Sequence, residues 1–377
     1  MNLPNLLVFN NLFLNGSSGL QEAIGGTTYH VSELVNYFSE EKEVYCAGYC
    51  VGFEGNNRVK PLMSSLSKTN TAYLKHILFQ DFTKELPANT VIHAHRPDHL
   101  AVLKNKRKLK TVLTLHGQAR KTIDGQGSFF KKSIYHLLEK QGIKKADRII
   151  AVEEITKEYY IGLFPEIQNK ITVVPIGIDL DFFKPLEKLE CCKKLQLDSE
   201  KKYIVYVGRL DFPKNVKEII DAFTLAFKTD NNLHLLVVGE GKDKPMLMNY
   251  VADSQTKSAI TFTGFQPREL LPYFYNASEM SILLSGNEGS PTSVKESFAC
   301  GVPVLANNVG DLGNIIQNGK NGELVNTIEI ELIANKIIEL VNKKPDAEEC
   351  RNSVLEFSNK LIFGKIKEIY HSLTPDN

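Results

Sequence analysis

A chain of 377 residues is longer than one hydrophobic core ordinarily supports, so two domains are expected. Its 42% apolar and 24% charged residues are those of an ordinary globular protein, and no apolar run is long enough to span a bilayer as a helix, which excludes extensive disorder and a membrane-spanning helix. The net charge is +1, a poor match for nucleic acid, although the first half is the basic one: 22 basic against 18 acidic residues in 1–183, and 23 against 26 thereafter.

Short β-rich apolar runs alternate with amphipathic segments almost throughout, the pattern of parallel sheets covered by helices on both faces. The first predicted strand, Leu6 to Phe9, is followed by Gly25-Gly26-Thr27-Thr28 and a helix over Tyr29 to Phe38. Paired glycines before a helix let the backbone come close to a phosphate or sugar, though ordinary loops share the composition. Strands follow at Glu43 to Ala47, Val91 to Ala94 and Thr111 to Leu115, the last ending in His116-Gly117, where an imidazole would stand at the carboxyl edge of the sheet. Cys46, Cys50, Cys191, Cys192, Cys300 and Cys350 are scattered and follow no secretory leader, so free, mostly buried thiols in a reducing cytoplasm are expected. Further strands are predicted at Arg148 to Val152 and Ile171 to Pro175.

The stretch from Asp181 to Ser199 carries Pro185, clustered charges and no strand pattern, and places a domain boundary near Lys184. The predicted units are 1–183, 184–355 and a helical tail, 356–377, that could return to the first domain; helix is expected from Ala347 to Leu373 with a break at Ser358. In the second domain strands are expected at Tyr203 to Val207, His234 to Val238, Ile260 to Thr263, Met280 to Leu284 and Val302 to Ala306.

Ligands of open parallel sheets bind beyond the carboxyl ends of the strands. After Tyr203 to Val207 comes Gly208-Arg209-Leu210-Asp211-Phe212-Pro213-Lys214-Asn215, then a helix over Val216 to Phe227. A guanidinium, an ammonium and the free N–H groups of a helix start together suit a pyrophosphate, whereas the same charges alone could be solvated loop residues. After Met280 to Leu284 comes a loop with Glu288, Gly289, Ser290, Pro291, Thr292 and Ser293, running into a helix that carries Glu296. A carboxylate there could accept from the two hydroxyls of a ribose, or be no more than a helix-surface charge.

These motifs, in this order, make the chain similar to the GT-B fold retaining glycosyltransferases of family GT4, with matches from residue 25 to about 325. They comprise Gly25-Gly26, Thr114-Leu115-His116, Ala146 to Val152, Val174 to Asp179, Val207 to Leu210 with Lys214, Val237 to Gly241, and Glu288 to Glu296 followed by Ala299-Cys300-Gly301-Val302-Pro303-Val304. The Glu-x7-Glu element with its Cys-Gly-Val-Pro-Val continuation is the most specific of them. The resemblance implies two Rossmann-like domains with parallel sheets facing a central cleft, and transfer of a hexosyl group from a nucleotide-diphosphate sugar, by default UDP-linked, to a hydroxyl. It implies that Arg209 and Lys214 hold the diphosphate, Glu296 the ribose and Glu288 the transferred sugar, with His116 near the sugar hydroxyls. Gly25 and Gly26 would line the floor, and Gly264 and Phe265 would meet the base through their backbone. Departures at Ile176 (usually Asn), Asn215 (usually Gly) and Ser290-Pro291 (often Phe-Gly) bear on the donor sugar rather than the reaction.

No metal or cofactor beyond the nucleotide sugar is expected: Asp179-Leu180-Asp181 spells a metal-binding Asp-x-Asp but lies at the domain junction. The acceptor would be a glycan, a lipid-linked intermediate or a small molecule of cell-surface polysaccharide, lipopolysaccharide or glycolipid synthesis. Lys104, Lys106, Arg107, Lys108 and Lys110, with a helix over Phe129 to Lys145, could rest on anionic lipid at the inner face of the plasma membrane, although a solvated helix is the simpler account. In that helix Phe130, Ile134, Leu137 and Leu138 share one side, and Lys131, Lys132, Lys140, Lys144 and Lys145 lie elsewhere. A dinucleotide oxidoreductase would need a Gly-x-Gly-x-x-Gly turn directly after a strand, and none occurs. A GT-B nucleotide-sugar 2-epimerase or a non-catalytic nucleotide-binding scaffold remains as the alternative.

Overall fold

Apolar runs such as Val91 to Ala94 and Thr111 to Leu115 bury every residue, because a parallel strand covered on both faces has no solvent side to fill with polar residues. The computed structural model describes residues 3–14, 26–53, 56–65, 67, 69–84, 86–126 and 128–374. The chain divides into two units, one built from residues 3–14, 26–177 and 360–374 and the other from 178–359.

The first unit holds β1 (Leu6–Leu14), β2 (Val44–Val51), β3 (Val59–Pro61), β4 (Val91–Ala94), β5 (Thr111–Leu115), β6 (Arg148–Ala151) and β7 (Ile171–Val173), all parallel in the order β3-β2-β1-β4-β5-β6-β7. The order reverses between β1 and β4, which makes their carboxyl ends the natural ligand crevice of this sheet. The helix Gly26–Ser39 buries Val31, Leu34, Val35 and Phe38, a stripe of three- and four-residue spacing. The last helix, Asn359–Leu373, buries Ile362, Phe363, Ile366 and Tyr370 in the same cluster as Leu6, Val8, Val31 and Leu34, so the end of the chain belongs to the first core.

The second unit holds β8 (Lys202–Val207), β9 (Leu233–Val238), β10 (Ile260–Gly264), β11 (Ser278–Leu283), β12 (Val304–Asn307) and β13 (Gly322–Val325), again all parallel, in the order β10-β9-β8-β11-β12-β13. Here the reversal falls between β8 and β11. The helix Val216–Phe227 packs Val216, Ile219, Ile220, Phe223 and Ala226 into the core. The chain enters and leaves this unit at one place: Ile178 N donates to Phe357 O at 2.8 Å, and Asn359 N to Ile178 O at 2.9 Å.

The helix Phe129–Lys145 buries Tyr135, Glu139, Gly142 and Ile143 instead of its most apolar residues. Phe130 (75%), Ile134 (44%) and Leu137 (57%) are exposed as a group with Phe129 (86%), while Leu138 is half-buried. Three of the expected basic residues are engaged in structure rather than free for a surface. The Lys145 ammonium reaches the Leu100, Ala101 and Leu103 carbonyls, Arg107 donates to Leu86 O, and Lys110 lies 3.6 Å from Asp147. All six cysteines are free, five of them buried.

Candidate active site

The loops after β8 and β11 flank the reversal point of the second sheet, and their residues meet there. Gly286 N donates to Pro213 O at 2.7 Å, joining the loops through their backbones. The Lys214 ammonium forms a short ion pair with Glu288 Oε1, both side chains largely withdrawn from solvent at 16% and 13% exposure. A carboxylate and an ammonium are thus already paired where an anionic ligand would dock, so an incoming phosphate must share Lys214 with Glu288 or take it over. Arg209 stands at the mouth with 51% of its side chain exposed, its Nη1 held 2.8 Å from Asp211 Oδ2. Tyr206, buried in β8, donates its hydroxyl to Arg209 O at 2.7 Å and fixes the turn from beneath.

Asn215 has left-handed backbone angles (φ 48°, ψ 42°), unusual for a residue with a side chain, and begins the helix Val216–Phe227 directly after Lys214. Its side chain makes no capping bond, so the first N–H groups of that helix are not closed off by it. The loop after β11 enters the helix Thr292–Ala299 through Pro291, which likewise gives no side-chain cap; Thr292, Ser293 and the backbone of Gly289 lie half-buried around that opening. Glu296, one turn into the helix, accepts from the Tyr275 hydroxyl at 2.8 Å. Burial, reinforced by the Glu296 charge, pushes the Tyr275 phenol well above its ordinary range, so it remains a donor that orients the carboxylate.

Ser290 is held from two sides. Its hydroxyl donates to Asp311 Oδ2 at 2.6 Å and accepts from the Lys295 ammonium at 2.5 Å, while Lys295 and Asp311 pair at 2.9 Å. Lys295 is fully buried, an arrangement that requires such a partner. Beside it Gly310 has φ +59°, and a Cβ there would lie 2.2 Å from Gly289 O, so only glycine permits the approach that lets Asp311 N donate to Gly289 O. At the end of β10, Gly264 also adopts positive φ (+75°) and its carbonyl accepts from Gly239 N at 2.9 Å; Phe265, next to it, is half-buried.

In the first unit, Gly25 lies outside the described residues, and Gly26 opens the helix Gly26–Ser39. His116 follows β5 and is half-buried. Its Nε2 lies 2.9 Å from His95 Nδ1, and burial pulls its pKa down to about 4. The second unit therefore brings together Arg209, Lys214, Glu288, Gly289, Ser290, Thr292 and Ser293 around the β8/β11 reversal. Sequence reasoning did not find Lys295, Asp311, Tyr275 or His95. His95 could have been found, because it stands directly beyond β4 at the reversal point of its sheet.

Comparison with known proteins agrees with this architecture. Residues 188–356 match the family model of glycosyl transferases group 1, and residues 24–182 that of glycosyltransferase family 4. An uncharacterized 41.2 kDa protein in the cps region of Klebsiella pneumoniae is 27% identical over 313 residues, 81% of this chain and 80% of the relative. The UDP-Gal:alpha-D-GlcNAc-diphosphoundecaprenol alpha-1,3-galactosyltransferase of Escherichia coli is 27% identical over 270 residues, 69% of this chain and 68% of that enzyme. Among solved structures, Anabaena Alr3699/HepE in complex with UDP and glucose superposes with a TM-score of 0.76, covering 98% of this chain and 100% of that one at 17% identity, a likeness of fold.

Proposed function

The chain belongs to the group 1, family 4 glycosyltransferases and is a glycosyltransferase with the GT-B fold, and from that premise we propose that it moves a hexosyl group from a UDP-linked sugar, with retention, to a hydroxyl acceptor. The observation that carries the proposal is the convergence of Arg209, Lys214 and Glu288 on the reversal point of the second sheet, beside two helix starts. A departing diphosphate gains negative charge as the glycosidic bond breaks, and cations set in place beforehand stabilise that charge without reorganising. Arg209 and Lys214 take this role. Glu296, oriented by Tyr275, accepts from the ribose hydroxyls, and Glu288 stands beside the transferred sugar, near the Ser290 loop that Lys295 and Asp311 hold. His116 is assigned to the sugar hydroxyls and Gly25 and Gly26 to the floor of the donor site, as the family resemblance implies, and Gly264 and Phe265 to the base through their backbone. The acceptor proton passes to the donor phosphate oxygen on the face from which the diphosphate leaves.

A UDP donor is favoured by the UDP-Gal donor of the Escherichia coli relative and by the UDP bound in the Anabaena complex. The diphosphoundecaprenol-linked substrate named for the Escherichia coli relative favours an acceptor in cell-surface glycan or glycolipid synthesis. No described helix is long and apolar enough to cross a membrane. Contact with lipid falls instead to the helix Phe129–Lys145, where exposed Phe129, Phe130, Ile134 and Leu137 stand among Lys131, Lys132, Lys140 and Lys144. Incubating the protein with UDP-glucose, UDP-galactose, UDP-N-acetylglucosamine and their GDP counterparts, and following nucleotide release with proton NMR of the sugar product, tests the reading. Release of UDP with an α product from an α donor supports it; release from GDP-sugars alone, or inversion, overturns the donor or the stereochemistry.

A further inference from the structure

Beyond β4 the chain continues as His95-Arg96-Pro97-Asp98, at the edge of the crevice that the β1/β4 reversal creates. His95 turns to His116, 2.9 Å away. Arg96 turns to Asp98 instead: Nε donates to Oδ1 at 2.9 Å and Nη2 to Oδ2 at 2.8 Å, two parallel bonds between planar groups. Asp98 is buried and has a further partner, because Asn70 Nδ2 donates to its Oδ2 at 3.0 Å, and Asn70 Oδ1 in turn lies 3.1 Å from His99 Nε2. His99, also buried, packs edge-on against Tyr73 at 4.9 Å between centroids. The guanidinium is thus fixed by a chain of side chains that runs from the core of the unit to its surface.

A guanidinium carries five N–H groups, and the pair with Asp98 uses two of them. The edge formed by Nη1 and the second N–H of Nη2 makes no hydrogen bond among the described residues, and 43% of the side chain is exposed, against 3% for Asp98. Neutralising Asp98 requires only a cation, which a lysine would supply. A fork laid against the carboxylate by one edge does more, because it presents its other edge outward in a fixed plane. That edge fits a second pair of oxygens. A phosphate offers such a pair, with the charge that strengthens both bonds, and takes them without reorganising the side chain. Asp98 cancels much of the guanidinium's charge, so the free edge discriminates by geometry and hydrogen bonding rather than by long-range attraction.

We propose that Arg96 binds a phosphate group carried by the acceptor, so that the hydroxyl compound glycosylated by this enzyme is phosphate-bearing rather than neutral. The inference rests on the glycosyl-transfer reading and names the class of its acceptor. The helix Phe129–Lys145 approaches the same turn so closely that a Cβ at Gly142 would lie 2.0 Å from Pro97 O, and its exposed Phe129 and Phe130 suit a lipid-linked phosphate. A water-soluble phosphate offers Arg96 the same oxygens.

Calorimetric titration of the full chain saturated with UDP, which keeps phosphate probes off Arg209 and Lys214, tests the proposal. The probes are octyl phosphate, glycerol 3-phosphate and the neutral 1-octylglycerol, all below any micelle concentration. The parent should bind at least one of the phosphates, and 1-octylglycerol about tenfold or more weakly. Arg96→Lys keeps a cation opposite Asp98, and with it the fold, but has no second edge; it should weaken phosphate binding about tenfold with UDP affinity unchanged. Arg96→Met with Asp98→Asn, which leaves no buried charge unpaired, should weaken it at least as much. Binding of octyl phosphate alone identifies a lipid-linked phosphate, and equal binding of glycerol 3-phosphate a soluble one; either supports the proposal. A parent that binds neither phosphate, or binds 1-octylglycerol as tightly as octyl phosphate, would overturn it, as would equal phosphate affinity in the parent and both variants. If UDP does not bind, the donor reading fails, and the dependence of phosphate binding on Arg96 is still read from the same proteins.

Discussion

Lowering the pH from 7 to 5 should destabilise the first unit far more than the second. Burial pulls the pKa of His93 and of His99 down to about 3 and that of His116 to about 4, against about 6.5 in an unfolded chain. A base whose folded pKa lies below its unfolded one takes up its proton first in the unfolded state. Stability is therefore intact above pH ~6.5 and is lost progressively as the pH falls towards the folded values. At pH 5 each such histidine favours unfolding by about 2 kcal/mol, so the three together remove about 6 kcal/mol. That is comparable with the whole stability of a domain, about 5–15 kcal/mol. Urea denaturation at pH 7, 6 and 5, with hydrogen exchange to assign each transition to its unit, measures the effect. His99→Gln should remove about 2 kcal/mol of the loss between pH 7 and pH 5, its own share, with His95, also held neutral by burial, among the groups that keep the remainder. A urea midpoint that stays constant from pH 7 to pH 5, or imidazole resonances of His93, His99 and His116 that titrate near 6.5, would refute the reasoning.

Other consequences are more local. Lys295→Met leaves Asp311 buried without its counter-charge and should cost the second unit about 3–5 kcal/mol in denaturant unfolding, whereas Lys295→Met with Asp311→Leu should restore much of it. Lys214→Ala should lower kcat/KM at least about a hundredfold in nucleotide-release assays while leaving the circular dichroism unchanged, because the ammonium is withdrawn into the site rather than packed in the core. Phe129→Ser with Phe130→Ser should abolish cosedimentation with vesicles containing phosphatidylglycerol without altering turnover of a water-soluble acceptor. Binding to neutral phosphatidylcholine equal to that seen with the anionic vesicles would argue against the lysines' part in it.

What the sequence reveals follows what burial does to composition. β4 and β5 are readable end to end because an inner parallel strand is covered on both faces and shows as a short, mostly apolar, fully buried run. β3 and β13 are not, since an edge strand can be as short as Val59-Lys60-Pro61 or carry Gly322 and Glu323. β1 continues from Phe9 to Leu14 through Asn10 and Asn11, a pair that reads as a loop; its register with β2 shifts there, and Asn10 satisfies the bulge by donating to Leu12 O at 2.7 Å. In the tail, the expected break at Ser358 falls between the 3-10 turn Leu355–Phe357 and the helix Asn359–Leu373. For the site, reading the loop beyond each strand found Lys214 and Glu288, whose meeting depends on topology alone. Lys295 was invisible because a lysine inside a helix reads as solvent-facing, and its partner Asp311 comes only after β12. The apolar side of the helix Phe129–Lys145, read as a lipid contact or a solvated face, is exposed, while Tyr135, Glu139, Gly142 and Ile143 are buried, because which side of a helix meets the core is decided by neighbours distant in sequence.

The central claim is that the β8/β11 reversal point holds a nucleoside diphosphate through Arg209 and Lys214. Calorimetric titration of the parent protein and of Arg209→Ala with UDP, GDP and NADH, without added metal, tests it most directly. The account predicts UDP binding that weakens about tenfold or more in Arg209→Ala, the loss of one charge-assisted contact, and no binding of NADH. Equal UDP affinity in the two proteins, or binding of NADH alone, would contradict it.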